Sequence, residues 1–223
     1  MRTVFLFIKK AALFLCVLFI VFSCAISAVL TFSEVRTFRR SFHFVVLRTE
    51  KIEVSAGLSE LDGGAGYVMK SGEGVALGVY FSLSQAERVR EEASMRYEPL
   101  VVLSFSTEKF RFHSRHEKQN ADKIIAAFST LHEYLRLVFD ECARLETGGT
   151  QESSKRIVSG VARQLAYLGK ENEGVDGGFA KTCKNASEEL SNVAEGIVYA
   201  SKLRAFLCKY AEEYLSLAER YRV

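Results

Sequence analysis

His113 and His116 are the first residues whose types and spacing could do chemistry, since two imidazoles three positions apart can approach one ion. No cysteine or carboxylate supplies a third ligand in the pattern, so the pair reads as part of a solvated loop. His43 and His132 stand alone. The five cysteines divide into Cys16 and Cys24 inside an apolar run and Cys142, Cys183 and Cys208 scattered through the body. None forms a C-x-x-C spacing, which argues against a zinc site, a redox pair or a disulfide framework and for thiols used as small apolar fillers. The sequence lacks the patterns of a nucleophilic serine elbow, a metalloprotease helix or a phosphate-binding lysine loop. Its acidic residues are spread over solvated helix faces. These patterns point away from an enzyme and imply no cofactor and no metal.

The stretch "GGAGYVMKSGEGVALGVYFS", residues 63–82, carries most of what remains. A dinucleotide fingerprint needs a third glycine where Met69 stands, and a helix where this segment continues as a strand. A hairpin fits better. Gly63, Gly64 and Gly66 suit a tight entry, and Ser71-Gly72 makes a turn between two apolar arms. Strict alternation would put Val75, Leu77, Val79 and Phe81 on one face of the second arm, and Ala76, Gly78 and Tyr80 on the other. Gly78 leaves a shallow place beside Tyr80, and tyrosines on such a face bury area while keeping a free hydroxyl. Tyr67, Gly78 and Tyr80 are therefore candidate ligand contacts. The competing reading packs both tyrosines against the C-terminal helices.

The elements that would position this stretch follow from charge and periodicity. The 223-residue chain carries 30 basic and 27 acidic side chains, and Arg2, Lys9 and Lys10 account for the surplus. A neutral body argues against nucleic acid as partner. After a basic tail over residues 1–10, "AALFLCVLFIVFSCAISAVLTF" runs from 11 to 32 without a charge, long enough for one membrane-spanning helix. A cleaved signal peptide competes, but the length of the run favours an uncleaved single-pass anchor. Arg36, Arg39 and Arg40 follow the span and would favour a cytoplasmic body. The plan of short tail, anchor and long body favours an extracytoplasmic one. Residues 41–112 read as short strands with one helix, opened by Ser84 and Glu87 as a capping box. Residues 118–223 read as a three-helix antiparallel bundle. Its seam of Ile124, Phe128, Leu131, Leu135, Val138, Cys142 and Leu145 alternates spacings of four and three. The bundle either packs on itself or leaves a seam open for a protein partner.

"AGYVMKSGEGVALGVYFSLSQAERV" is similar to the second half of a SPOR domain, the sporulation-related repeat. There a tyrosine-bearing hairpin leads through Gly78-Val79-Tyr80 into a helix marked by Ser82, Ala86, Glu87 and Val89, with "FHFVVL" as first strand and "LVVLSF" as last. The resemblance covers residues 42–106. It implies an α+β chain in which a ferredoxin-like antiparallel sheet binds peptidoglycan glycan strands on an open face, without catalysis, outside a membrane anchor. Residues 49–62 offer little more than one turn of amphipathic helix where that family has its first helix, so this helix is expected to be degenerate. The alternative is a membrane-tethered scaffold of cell division or sporulation that binds no glycan and acts through its helical bundle.

Overall fold

The computed structural model describes residues 33–223. Four strands and seven helices follow in the order β1 (Glu34–Leu47), α1 (Ile52–Leu61), β2 (Tyr67–Val68), β3 (Val75–Tyr80), α2 (Leu83–Ala93), β4 (Leu100–Phe112), α3 (Arg115–Gln119), α4 (Ala121–Glu146), α5 (Gln151–Asn172), α6 (Gly177–Glu195) and α7 (Ala200–Glu219). The strands form one sheet of order β2-β3-β1-β4, antiparallel throughout. β1 is an inner strand, which is why Phe44 through Leu47 are apolar at consecutive positions: Phe42 through Leu47, His43 included, are buried on both faces. The helix starts are written locally. Ser82 accepts from the Gln85 N–H at 3.3 Å, Thr150 from Ser153 at 3.4 Å and Asp176 from Phe179 at 3.0 Å.

Both faces of the sheet are covered. On one, Val45 of β1 and Leu77 of β3 pack with Ala86 of α2. On the other, Phe42, Phe44, Val46, Ala76 and Val79 join the side chains of α4 to α7 in one continuous core. Phe128 of α4 is the hub. Its ring stands 5.1 Å from Phe110, 5.1 Å from Phe179, 5.2 Å from Tyr214, 6.0 Å from Tyr221 and 6.2 Å from Phe38. Two strands, three helices and the C-terminal residues thus meet on one aromatic side chain.

This architecture corrects the expected one. The spanning helix over 11–32 falls outside the described residues. Among these, no helix is long and apolar enough to cross a membrane, because long helices such as α4 carry charges on their outer faces. Single-pass anchoring, and the extracytoplasmic placement drawn from it, have no support in the structure. The three-helix bundle becomes four long helices: the break at Gly196–Tyr199 divides the expected third helix into α6 and α7. The bundle also does not pack only on itself, since its seam closes on the sheet. The degenerate first helix is a regular ten-residue α1. Strict alternation fails along β3, where Val45 pairs with Gly78 but Val46 with Ala76. Leu77 is the extra residue of a bulge and turns toward α2.

Two outcomes follow. Phe128→Asp would place an unpaired charge at the hub and should cost several kcal/mol, about 3 or more. Sheet and helices should lose structure in one transition, read by circular dichroism and by amide exchange in β1. His132 of α4 is caged by Phe42, Phe81 and Tyr214. Burial, aided by the Arg40 guanidinium and opposed by Glu133, holds its imidazole at about 4. The unfolded chain takes up this proton near pH 6.5 and the folded chain only near 4. Stability is therefore complete above about 6.5 and falls as pH drops toward 4, by about 2–3 kcal/mol. Urea midpoints from pH 7 to pH 4 should show this decline, and His132→Phe should flatten it.

Candidate functional site

The structure separates the tyrosines that the sequence grouped. Tyr67 pairs with Ala76 and packs on the core facing the long helices. Its hydroxyl donates to Glu212 Oε2 of α7 at 2.8 Å, and the same oxygen accepts the Lys70 N–H at 3.2 Å. Burial, then the Glu212 carboxylate, push the phenol far above its ordinary value. Lys70 also pairs with Glu213. Tyr67 therefore clamps the β2–β3 hairpin to α7, and an open glycan platform is not available there. The sheet face that the resemblance assigns to glycan is filled by the long helices.

Gly78 and Tyr80 do come together, on the opposite face. The Tyr80 ring folds back so far that a β-carbon at 78 would stand 3.1 Å from its hydroxyl. Phe139 of α4 meets the ring edge-on at 5.9 Å. Burial raises the phenol to about 12, with Arg204 pulling the other way. Two adjoining clefts, of about 360 and 380 Å³, share Tyr80, Val89, Glu92 and Arg204 in their walls. Arg204, on α7, pairs with Glu146 and donates to the Gly63 carbonyl, which fixes one wall. Tyr97 closes the other end by donating to Asp62 Oδ2 at 2.5 Å.

At the mouth of the first cleft lies a surface that the sequence reading missed. α1 is turned inside out. Its one buried residue is Ser59, whose Oγ accepts the Gly66 N–H at 3.3 Å. The glycine-rich entry to β2 passes so close that a β-carbon at Gly64 would stand 2.4 Å from this oxygen, so only a small side chain fits inside. The apolar residues face out: Val54 is 63% exposed, Leu58 53% and Leu61 84%, while Met95 beyond α2 is 90% exposed. Val54, Gly57, Leu58 and Leu61 follow the i, i+3, i+4, i+7 spacing of one helix face, and Gly57 has nothing within 4 Å of where a side chain would start. Glu50, Glu53, Glu60 and Asp62 lie in or next to α1 with Lys51, all exposed, and the exposed Arg96 stands beside Met95 at the cleft.

Elsewhere the chemistry-bearing residues are committed to structure. Cys142, Cys183 and Cys208 are free and buried. Burial pushes the first two thiols up to about 12 and Cys208 higher still. His116 lies in the short α3, whose start is a capping box between Ser114 and Glu117. Among the described residues, no group of three His, Cys, Asp or Glu side chains could hold a metal ion.

No family model, curated protein or solved structure matches the chain. Nothing there identifies a SPOR domain, and the sporulation and peptidoglycan reading loses its ground together with its open sheet face.

The Tyr67 clamp is directly measurable. Tyr67→Phe removes a hydrogen bond to a carboxylate at a half-buried site and should cost about 1 kcal/mol. Chemical denaturation of that variant, compared with Glu212→Gln, reads the loss.

Proposed function

We propose that the chain is a non-catalytic protein-interaction module that docks the apolar face of a partner on α1, with the cleft at Tyr80 receiving a side chain from it. The observation that carries this reading is the inverted amphipathicity of α1. A helix ordinarily turns its apolar stripe toward the core, and a contiguous exposed stripe marks an interaction surface. Gly57 at the middle of the stripe lets a partner backbone come close. The acidic side chains in and next to α1 select a partner whose own apolar face is flanked by lysine or arginine, and they oppose an anionic lipid surface. A basic amphipathic helix laid along α1 meets these requirements. The Tyr80 hydroxyl, at the junction of the two clefts, supplies a hydrogen bond for an acceptor on that partner. This reading gives Tyr80 and Gly78 a contact role toward a protein, in place of the glycan contact expected of them together with Tyr67.

The test uses a synthetic helix with leucine at i, i+3, i+4 and i+7 and lysine on its flanks, titrated against the chain by anisotropy. Leu58→Glu and Leu61→Glu should each lose on the order of 1–2 kcal/mol of binding. Both should melt as the parent does, because neither side chain is in the core. The same helix with glutamate flanks should bind far more weakly. Equal binding by parent and both variants would remove α1 from the interface.

A further inference from the structure

β4 is an edge strand, paired with β1 on its inner side from Leu100 to Phe112. Among the described residues its outer side makes one backbone bond, at the far end. There the Arg111 N–H donates to the Tyr221 carbonyl at 2.6 Å and Phe110 stands antiparallel to Arg222. The rest of that edge is unguarded. "LVVLSFST", residues 100–107, has neither a charge nor a proline, the usual devices that keep a sheet edge closed. A cleft of about 210 Å³ lies beside its second half, with Ser104, Ser106 and Lys109 on the strand side and Leu215, Ala218 and Glu219 of α7 and then Arg222 on the other. A strand edge faced by a helix is the geometry that accepts an extended peptide by strand addition. Main-chain bonds give affinity there, and alternate side chains read the helix wall.

The chain already carries a short version of that ligand. Asp176, the N-cap of α6, accepts from Arg220 at 2.9 Å and from the Tyr221 hydroxyl at 2.8 Å, and so holds Tyr221 and Arg222 against the end of β4. Charge marks the same end. Lys109 lines the cleft, is exposed and lies outside every ion pair among the described residues; its exposed neighbour Glu108 is not part of that lining, and Glu219 is taken by Arg222.

We infer that the outer edge of β4 from Leu100 to Thr107 receives an extended segment of a partner protein, antiparallel to β4 and continuing the line of Tyr221, Arg222 and Val223, with an acidic residue at its leading end within reach of Lys109. The surface is separate from α1, so this inference stands or falls independently of the docking on that helix.

The probe is an acetylated, amidated octapeptide of alternating threonine and valine led by glutamate, labelled for anisotropy and added to the whole chain. Binding should slow amide exchange over residues 100–107 and leave α1 unchanged. N-methylation of one alternate set of peptide amides should abolish binding, while methylation of the other set should leave it within about twofold, because only every second N–H of an added strand faces its neighbour. Lys109→Glu should weaken binding about threefold, and a probe led by lysine should recover that loss, the size expected of one exposed ion pair. Absence of binding at millimolar peptide overturns the inference, as does indifference to which amide set is methylated. Self-association of the chain with protection of the same residues also overturns it, since a second copy would then fill the edge.

Discussion

A four-stranded sheet has two faces to bury, and the aromatic contact between Phe128 and the rings of Phe38, Phe110, Phe179, Tyr214 and Tyr221 is how this chain buries the second. α2 covers one face through Ala86. The other needs a second layer, and α4 and α7 supply it with side chains large enough to bridge sheet and helix in one core. Aromatic pairs at these separations add directional attraction to the area they bury, which fixes the angle at which the helices cross the strands. The hairpin clamp of Tyr67 on Glu212 and the tether of Arg220 and Tyr221 to Asp176 both depend on α7 being held there.

The same constraint decides what is left for interaction. Once both faces are closed, the chain can offer only helix backs, clefts between layers and strand edges. α1 presents its apolar stripe outward because the space beneath it is taken by the backbone of the Gly64–Gly66 entry, which admits Ser59 and nothing larger. The Tyr80 cleft exists because the bulge at Leu77 sends Gly78 and Tyr80 to the α2 side, where Arg204 reaches over from α7 to form a wall. The edge of β4 is open because the C-terminal residues cover only its last part. Each of these surfaces is a by-product of how the layers close, while the three buried thiols keep their protons and serve as apolar filling.

Periodicity and local chemistry determined several features of this chain without any help from tertiary structure. The β-branched and aromatic run of "FHFVVL" made a strand, the turn glycines set the hairpin, and the four-and-three spacing of Ile124 to Leu145 made one long helix with one apolar face. These are short-range effects, carried by sterics and by hydrogen bonds a few residues long. Which surface each apolar face would meet is a long-range matter. The seam of α4 looked the same whether it closed on other helices or on a sheet, and only the assembled core chose the sheet. A single bulge at Leu77 overturned the face assignment along β3, because a period of two gives no warning of an inserted residue. The stripe of α1 was equally present in the sequence as Val54, Gly57, Leu58 and Leu61. Whether such a stripe points into a core or out of it depends on what lies beneath the helix, and here that is the backbone of a glycine loop, which only tertiary structure brings into place.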